Sequence, residues 1–248
     1  MSAGRTFRIW RGDARSGELV EYRTEVAPGM VVLDAVHRIQ AESAGDLACR
    51  WNCKAGKCGS CSAEINGRPR LMCMTRLSDL PEDRPVQIEP MRAFPPIRDL
   101  VVDVSSNYEA KRKVRPFSPR PPDADDGTWR MSQADVDRVQ EFRKCIECFL
   151  CQDVCHVLRE HRLHDRFVGP RVLVHAAALE MHPLDRADRT SELRAEHGLG
   201  FCNITKCCTS VCPEGITITD NAIIPLKERV VDRFYDPIRA FMRLIGID

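Results

Sequence analysis

The chain has 248 residues, 43% of them hydrophobic, with 37 basic and 36 acidic side chains and a net charge of +1. That is enough apolar material for one large or two ordinary domains and too much for a disordered chain. The near-neutral balance excludes the clustered positive charge on which nucleic-acid binding rests, and no apolar run approaches the ~20 residues that span a bilayer.

Residues 6–11 and 19–26 alternate apolar and polar side chains across a Gly-containing loop and predict a β-hairpin. Val32, Val36 and Ile39 recur at helical spacing over 32–41. Residues 62–65 and 68–73 flank Asn66-Gly67, a strong two-residue turn signal, and 86–89 reads as a short strand. A helix on a small mixed sheet, with a cysteine loop after the helix, is what a β-grasp ferredoxin gives. The prolines from Pro90 to Pro96 and from Pro116 to Pro122 then predict an extended connection, which also contains the apolar segment 97–104. Beyond it the pattern turns helical. Ser132 with Asp135 starts a helix carrying Val136, Val139 and Phe142. Gly169-Pro170 opens a helix over 171–181, a short one over 191–197 stops at Gly198, and Pro225 opens a last one with Leu226, Val230 and Phe234 on one face.

The 13 cysteines fall in three groups. Residues 1–10 carry neither a signal-peptide core nor an Arg- and Ser-rich presequence. A reducing compartment is therefore expected, where grouped cysteines mean metal or redox chemistry rather than disulfides. Cys53-K-A-G-K-Cys58-G-S-Cys61, with Cys73 later, has the C-x4-C-x2-C…C spacing of a plant-type [2Fe–2S] site. Gly56 and Gly59 allow the loop to wrap closely. Zinc, the alternative, favours ligand pairs two residues apart. Cys49 fits no template and reads as a buried small hydrophobe.

Cys145-I-E-Cys148-F-L-Cys151-Q-D-V-Cys155 is C-x2-C-x2-C-x3-C, the bacterial two-cluster run, in which the fourth cysteine serves the other cluster. The third group, F201-C-N-I-T-K-C-C-T-S-V-C-P-E-G215, repeats the run with one cysteine out of place. Reciprocal pairing gives Cys145, Cys148, Cys151 and Cys212 to one [4Fe–4S] cluster and Cys155, Cys202 and Cys208 to a second. The fourth corner of that second site falls on Thr205, whose hydroxyl is a far weaker iron ligand than a thiolate. The expected species there is [3Fe–4S], with Cys207 as the rival fourth ligand. The fold class expected is α+β: a β-grasp [2Fe–2S] ferredoxin domain over 1–105, then an all-α helical ferredoxin domain over 106–248 with the [4Fe–4S] and [3Fe–4S] clusters.

The three groups in this order resemble the iron–sulfur subunit of succinate dehydrogenase and fumarate reductase. R-W-N-C-K-A-G-K-C-G-S-C, C-I-E-C-F-L-C-Q-D-V-C and C-N-I-T-K-C-C-T-S-V-C-P-E-G carry the match, with P-I-R-D-L-V-V-D and F-V-G-P beside them. The resemblance implies that electrons enter from the FAD of a flavoprotein subunit, pass the three clusters in order and leave to quinone at a membrane anchor. It implies a peripheral subunit on the cytoplasmic face of a bacterial membrane, with no nucleic-acid partner. No G-x-G-x-x-G follows a strand, so the flavin belongs to the partner. A fumarate reductase subunit is the alternative, and an iron–sulfur sensor a more distant one. The family usually has Pro after the cysteine ending the first ferredoxin run, then a Trp, and often His after the first cysteine of the last run. Here those places hold His156, no Trp in 157–160, and Asn203. The ligands match, while the residues expected at the quinone pocket do not.

Glu147, between two cluster ligands, is read as a solvated side chain or as a charge that lowers that cluster's potential. His156-V-L-R-E-H-R-L-His164 is basic and reads as a solvated helix face or a face toward lipid headgroups. His37, His175, His182 and His197 are assigned ordinary structural roles.

Overall fold

The computed structural model describes residues 3–237. In chain order, strands β1 (Ala3–Gly12) and β2 (Gly17–Val26) precede helix α1 (Val32–Glu42), then β3 (Ser62–Ile65), β4 (Arg68–Leu71) and β5 (Val86–Glu89). A short hairpin, β6 (Pro96–Arg98) and β7 (Val101–Val102), leads to α2 (Ser105–Lys113) and α3 (Gln133–Gln140). Next come α4 (Leu150–Asp153), α5 (His156–Arg159), α6 (Gly169–Glu180), α7 (Thr190–Ala195), α8 (Cys207–Ser210) and α9 (Ile224–Phe234). The chain is thus mixed α and β, with its five-stranded sheet at the N-terminal end. It divides into two compact units.

The first unit holds the residues up to Val104 together with Ile146–Glu160 and Val211–Glu214. Its sheet runs in the order β2-β1-β5-β3-β4, with β1 and β5 parallel and the other pairs antiparallel. Asn66 and Gly67 take φ of 50° and 74°, the left-handed pair that a two-residue hairpin needs. Helix α1 begins where the Asp34 carboxylate accepts the Val31 amide at 3.1 Å, and it buries Val32, Leu33, Val36 and Ile39. These join Phe7, Ile9, Ile65, Val86 and Ile88 in one apolar cluster, which also takes in Phe149 and Leu150 from the second cysteine run.

All four residues of β3 are buried. Successive side chains of a strand point to opposite faces, so Ala63 and Ile65 share one face, and Ser62 and Glu64 share the other. Glu64 is 0% exposed. A lone buried carboxylate is costly, and here the segment Ile146–Glu160 supplies the partner. Arg159 Nη2 donates to Glu64 Oε2 at 2.9 Å, and Arg92 Nε lies 3.3 Å from the same oxygen. Beside them Asp153, also 0% exposed, accepts the Ala93 amide at 2.9 Å. Burial, opposed by the two arginines, raises the Glu64 carboxyl. Arg159 is therefore not part of a basic face toward solvent or lipid: its side chain is 15% exposed and engaged with Glu64.

The second unit holds Ser105–Cys145, His161–Ser210 and the residues from Gly215 on. Helix α6 opens on Gly169-Pro170 as expected and buries Val172, Leu173, Val174, Ala176 and Ala177. Arg189, 0% exposed, donates to the carbonyls of Arg115 and Pro116 at 2.8 and 2.9 Å and to Asp185 at 2.7 Å, fastening the proline-rich stretch inside this unit. One isolated bridge pairs Pro119 with Asp185.

Two expectations shift. The connection is not extended throughout: no proline falls between Pro96 and Pro116, and that gap forms the β6–β7 hairpin and α2. Before Pro225 the chain makes a π-helical turn, Ile218–Ile223. A proline ring crowds the carbonyl four residues back, and widening the turn relieves the clash.

The Glu64–Arg159 pair makes a stability prediction. Arg159→Met should destabilise the full chain by about 3 kcal/mol, since it leaves the buried carboxylate to the more exposed Arg92 alone. Adding Glu64→Leu should recover most of the loss. Equilibrium denaturation of the two variants against the parent checks both.

Candidate iron–sulfur centres

The first centre is built on the loop between α1 and β3. Asp99 anchors its start. This residue is 2% exposed, and its carboxylate accepts the Ala48 amide at 2.7 Å, the Gly12 amide at 3.0 Å and Arg11 Nε at 3.0 Å. The loop then coils through left-handed backbone at Lys54, Gly56 and Gly59. That coiling turns amides inward: those of Ala55 and Lys57 both donate to Cys53 Sγ at 3.3 Å. The Cys73 amide donates to Cys61 Sγ at 3.5 Å. Cys61 and Cys73 are buried, Cys53 and Cys58 half-buried.

Two of these thiols depart in opposite directions from an ordinary cysteine. Burial, the largest influence, pushes Cys61 up to about 12, with Cys73 and Cys58 adding to it. Burial also opposes ionisation of Cys58, yet hydrogen bonds involving Ser60 and Cys53 carry it down to about 6. Cysteine sulfurs that receive backbone N–H donors suit a [2Fe–2S] cluster, whose potential such hydrogen bonds tune. Cys49 packs at the edge of the apolar cluster, its thiol pushed up to about 12 by burial, which suits a small hydrophobe. His37 lies edge-on to Trp51, with the Lys54 ammonium 4.8 Å from the same indole.

The second and third groups share one backbone. A 3-10 turn, Glu141–Lys144, ends at Cys145, and another, Leu199–Phe201, ends at Cys202. The Cys145 amide returns to Phe142 O at 3.3 Å, and the Cys202 amide to Leu199 O at 3.4 Å. Left-handed residues follow at Glu147 and Phe149 in one run, and at Ile204 and Lys206 in the other. A four-residue helix comes next, α4 in one and α8 in the other. In this register Cys145 matches Cys202, Cys148 matches Thr205, Cys151 matches Cys208 and Cys155 matches Cys212.

Thr205 therefore occupies the backbone position of Cys148, and Cys207 occupies that of Leu150. Thr205 Oγ1 lies 3.3 Å from Cys207 Sγ. Cys208 is buried against Thr219, Sγ to Oγ1 3.4 Å. Burial raises its thiol, with Cys207 and Cys202 contributing. Cys148, Cys151 and Cys155 are buried, and Cys145, Cys202, Cys207 and Cys212 are half-buried. Glu147 is half-buried at a left-handed position rather than fully solvated. Among the described residues no three His, Cys, Asp or Glu converge on a single metal ion. Cluster ligands stand at the corners of an iron–sulfide core and do not meet at one point.

Sequence reasoning missed Asp99 and Glu64, the two buried carboxylates that fix the first loop and the second run. Asp99 shares the stretch 97–104 with Arg98 and Asp103, and spacing alone does not single it out. Glu64 gave no signal, because alternation along β3 assigns it to solvent.

These features define an iron–sulfur protein with a [2Fe–2S] ferredoxin domain followed by a two-cluster domain. Residues 6–109 match the model of a 2Fe-2S iron-sulfur cluster binding domain, and residues 141–216 that of a 4Fe-4S dicluster domain. The fumarate reductase iron-sulfur subunit of Mycobacterium tuberculosis is 37% identical over 79% of this chain and 79% of its own. The succinate dehydrogenase iron-sulfur subunit of Paracoccus denitrificans is 31% identical over 92% of this chain and 89% of its own. A chain of the solved Mycobacterium smegmatis Sdh1 complex in the apo form is 61% identical, with a TM-score of 0.92, covering 96% of this chain and 100% of that one.

The chain belongs to the family of iron–sulfur subunits of succinate dehydrogenase and fumarate reductase. With the family comes its cofactor set: [2Fe–2S], [4Fe–4S] and the [3Fe–4S] cluster typical of it. Among the described residues no helix is long and apolar enough to cross a membrane.

The shared register of the two runs predicts the outcome of two substitutions. Thr205→Cys should supply the fourth thiolate and convert the three-iron centre to [4Fe–4S]. The spin-half signal of the oxidised protein should then disappear from low-temperature EPR. Cys207→Ser should leave that signal in place.

Proposed function

We propose that this chain is the electron-transfer subunit of a succinate:quinone oxidoreductase. In this reading Cys53, Cys58, Cys61 and Cys73 hold [2Fe–2S] in a β-grasp domain of residues 1–105. Cys145, Cys148, Cys151 and Cys212 hold [4Fe–4S], and Cys155, Cys202 and Cys208 hold [3Fe–4S], in an all-α domain of residues 106–248. When bound, each cluster supplies one-electron exchange over a range of potentials set by its type, charge and hydrogen bonds. The amides of Ala55 and Lys57 ease negative charge on Cys53 and so raise the potential of the first site. Thr205, in a ligand's backbone position, withholds a thiolate from the last site. That changes the type and charge of the acceptor without changing the fold around it.

Electrons enter from the FAD of a flavoprotein partner and leave to quinone at a membrane anchor. The chain sits peripherally on the cytoplasmic face of a bacterial membrane. The observation that carries the reading is the repeated cysteine run with its single substitution at Thr205, following a [2Fe–2S] loop in one chain. A fumarate reductase subunit is the second reading, favoured by the 37% identical relative. The 61% likeness to a chain of an Sdh1 complex favours succinate oxidation.

Low-temperature EPR of the purified complex tests this. The air-oxidised protein should show a narrow, nearly isotropic spin-half signal that vanishes on addition of succinate. No such signal when oxidised, with two reduced [4Fe–4S] spectra instead, would sink the assignment of the third group. A signal that ignores succinate but responds to dithionite would sink the link to a dicarboxylate dehydrogenase.

A further inference from the structure

The first and second centres touch through the backbone. Gly59 sits between the ligands Cys58 and Cys61 and takes φ +68°. A Cβ there would lie 2.6 Å from Cys148 Cα, 2.9 Å from Cys148 Cβ and 3.0 Å from its amide nitrogen. No side chain fits in that space, so the main chain of the first cysteine loop lies directly on a ligand of the second run. Ser62, one residue beyond Cys61, closes the contact. Its buried hydroxyl lies 2.9 Å from Gly59 O and 2.8 Å from Cys148 O. A hydroxyl has one proton, so Ser62 shares it between the two carbonyls and ties the segments together. Glu64–Arg159 and Asp153–Ala93 hold the same segment against the sheet farther along.

We propose that Gly59 and Ser62 are positioning residues that set the tunnelling gap between the [2Fe–2S] and [4Fe–4S] centres. This rests on the ligand sets given under the proposed function. Electron tunnelling falls steeply with the length of the gap and more steeply through voids than through bonded or closely packed atoms. A path from Cys58 through Gly59 to Cys148 has a single through-space step, at van der Waals contact, and the Ser62 hydroxyl offers a hydrogen-bonded route beside it. The transfer is of one electron: the first centre is oxidised, the second is reduced, no bond breaks and no proton moves. A gap this short requires glycine at position 59, where a Cβ would run into Cys148.

The test uses the purified complex with its clusters loaded. The readouts are the EPR spectra of the two reduced centres, the enhancement of [2Fe–2S] spin relaxation by reduced [4Fe–4S], and the rate at which a photoinjected electron moves from the first to the second. Ser62→Ala should keep both spectra, weaken the relaxation enhancement and slow the transfer several-fold; Ser62→Thr should restore both. Gly59→Ala should act in the same direction and further. Unchanged enhancement and rate in Ser62→Ala would overturn the proposal. So would loss of either cluster from Ser62→Ala, since the contact would then serve cluster retention. If the parent complex lacks two distinct reduced spectra, the proposed ligand sets fail before the contact is tested.

Discussion

The buried face of β3 is the constraint on which the first unit depends. An antiparallel strand in a small sheet ordinarily keeps one face in water. Here Ser62 and Glu64 point to the second face and are both buried, because the segment Ile146–Glu160 covers them. Two polar side chains then need partners there. The segment provides them through the Cys148 carbonyl for Ser62 and Arg159 for Glu64. Buried ion pairs rarely add net stability over apolar packing, but they penalise every wrong register heavily. A slip of one residue along β3 would turn Glu64 into the apolar cluster and Ile65 onto the face that holds Arg159. The pair thus serves as a register pin for the segment that carries Cys148, Cys151 and Cys155.

The cysteine loops depend on a different constraint, the direction of backbone N–H groups. An extended or helical chain turns its amides to its own neighbours. Left-handed residues break that habit and aim successive amides into one concave side. In the first loop Lys54, Gly56 and Gly59 do this, and in the two later runs the pairs Glu147–Phe149 and Ile204–Lys206 do. Only the first loop uses glycines to relieve the strain. The later runs place Glu, Phe, Ile and Lys in a conformation that costs such residues about a kcal/mol or more each. Short helices on one side and 3-10 turns on the other over-determine the backbone and hold that strain in place. The same scaffold therefore survives the exchange of Cys for Thr at position 205, since the conformation comes from its neighbours.

Much of this is legible in sequence because the signals are local. The Asn66-Gly67 turn, the Gly169-Pro170 helix start and the cysteine spacings each require only a few adjacent residues. The register of Thr205 follows from counting, and the matching φ angles of the two runs agree with it. What escapes is non-local. Glu64 meets Arg159 across 95 positions of chain, and Asp99 reaches Ala48 across 51. Nothing in the spacing of either residue announces its partner. Arg159 is misread for the same reason: within a run of basic residues it looks like its neighbours, and only the buried acid distinguishes it. The π-helical turn before Pro225 is a compromise between a helix that continues and a proline that forbids it, and periodicity alone cannot say which gives way.

The two runs stop matching after their last cysteines, and that divergence limits what His156 can be. Cys212 leads into Pro213 and a loop, whereas Cys155 caps α5, whose first residue is His156. Proline is well accepted at the first position of a helix, where the amide has no intrahelical partner. The backbone here would therefore accept a proline in place of His156 as readily as the imidazole it carries. Helix α5 is needed in either case, because it delivers Arg159 to Glu64. Asn203 falls between Cys202 and the left-handed Ile204. The departures from the family's usual residues thus fall beside Cys155 and Cys202, one at a helix start and one ahead of a left-handed residue.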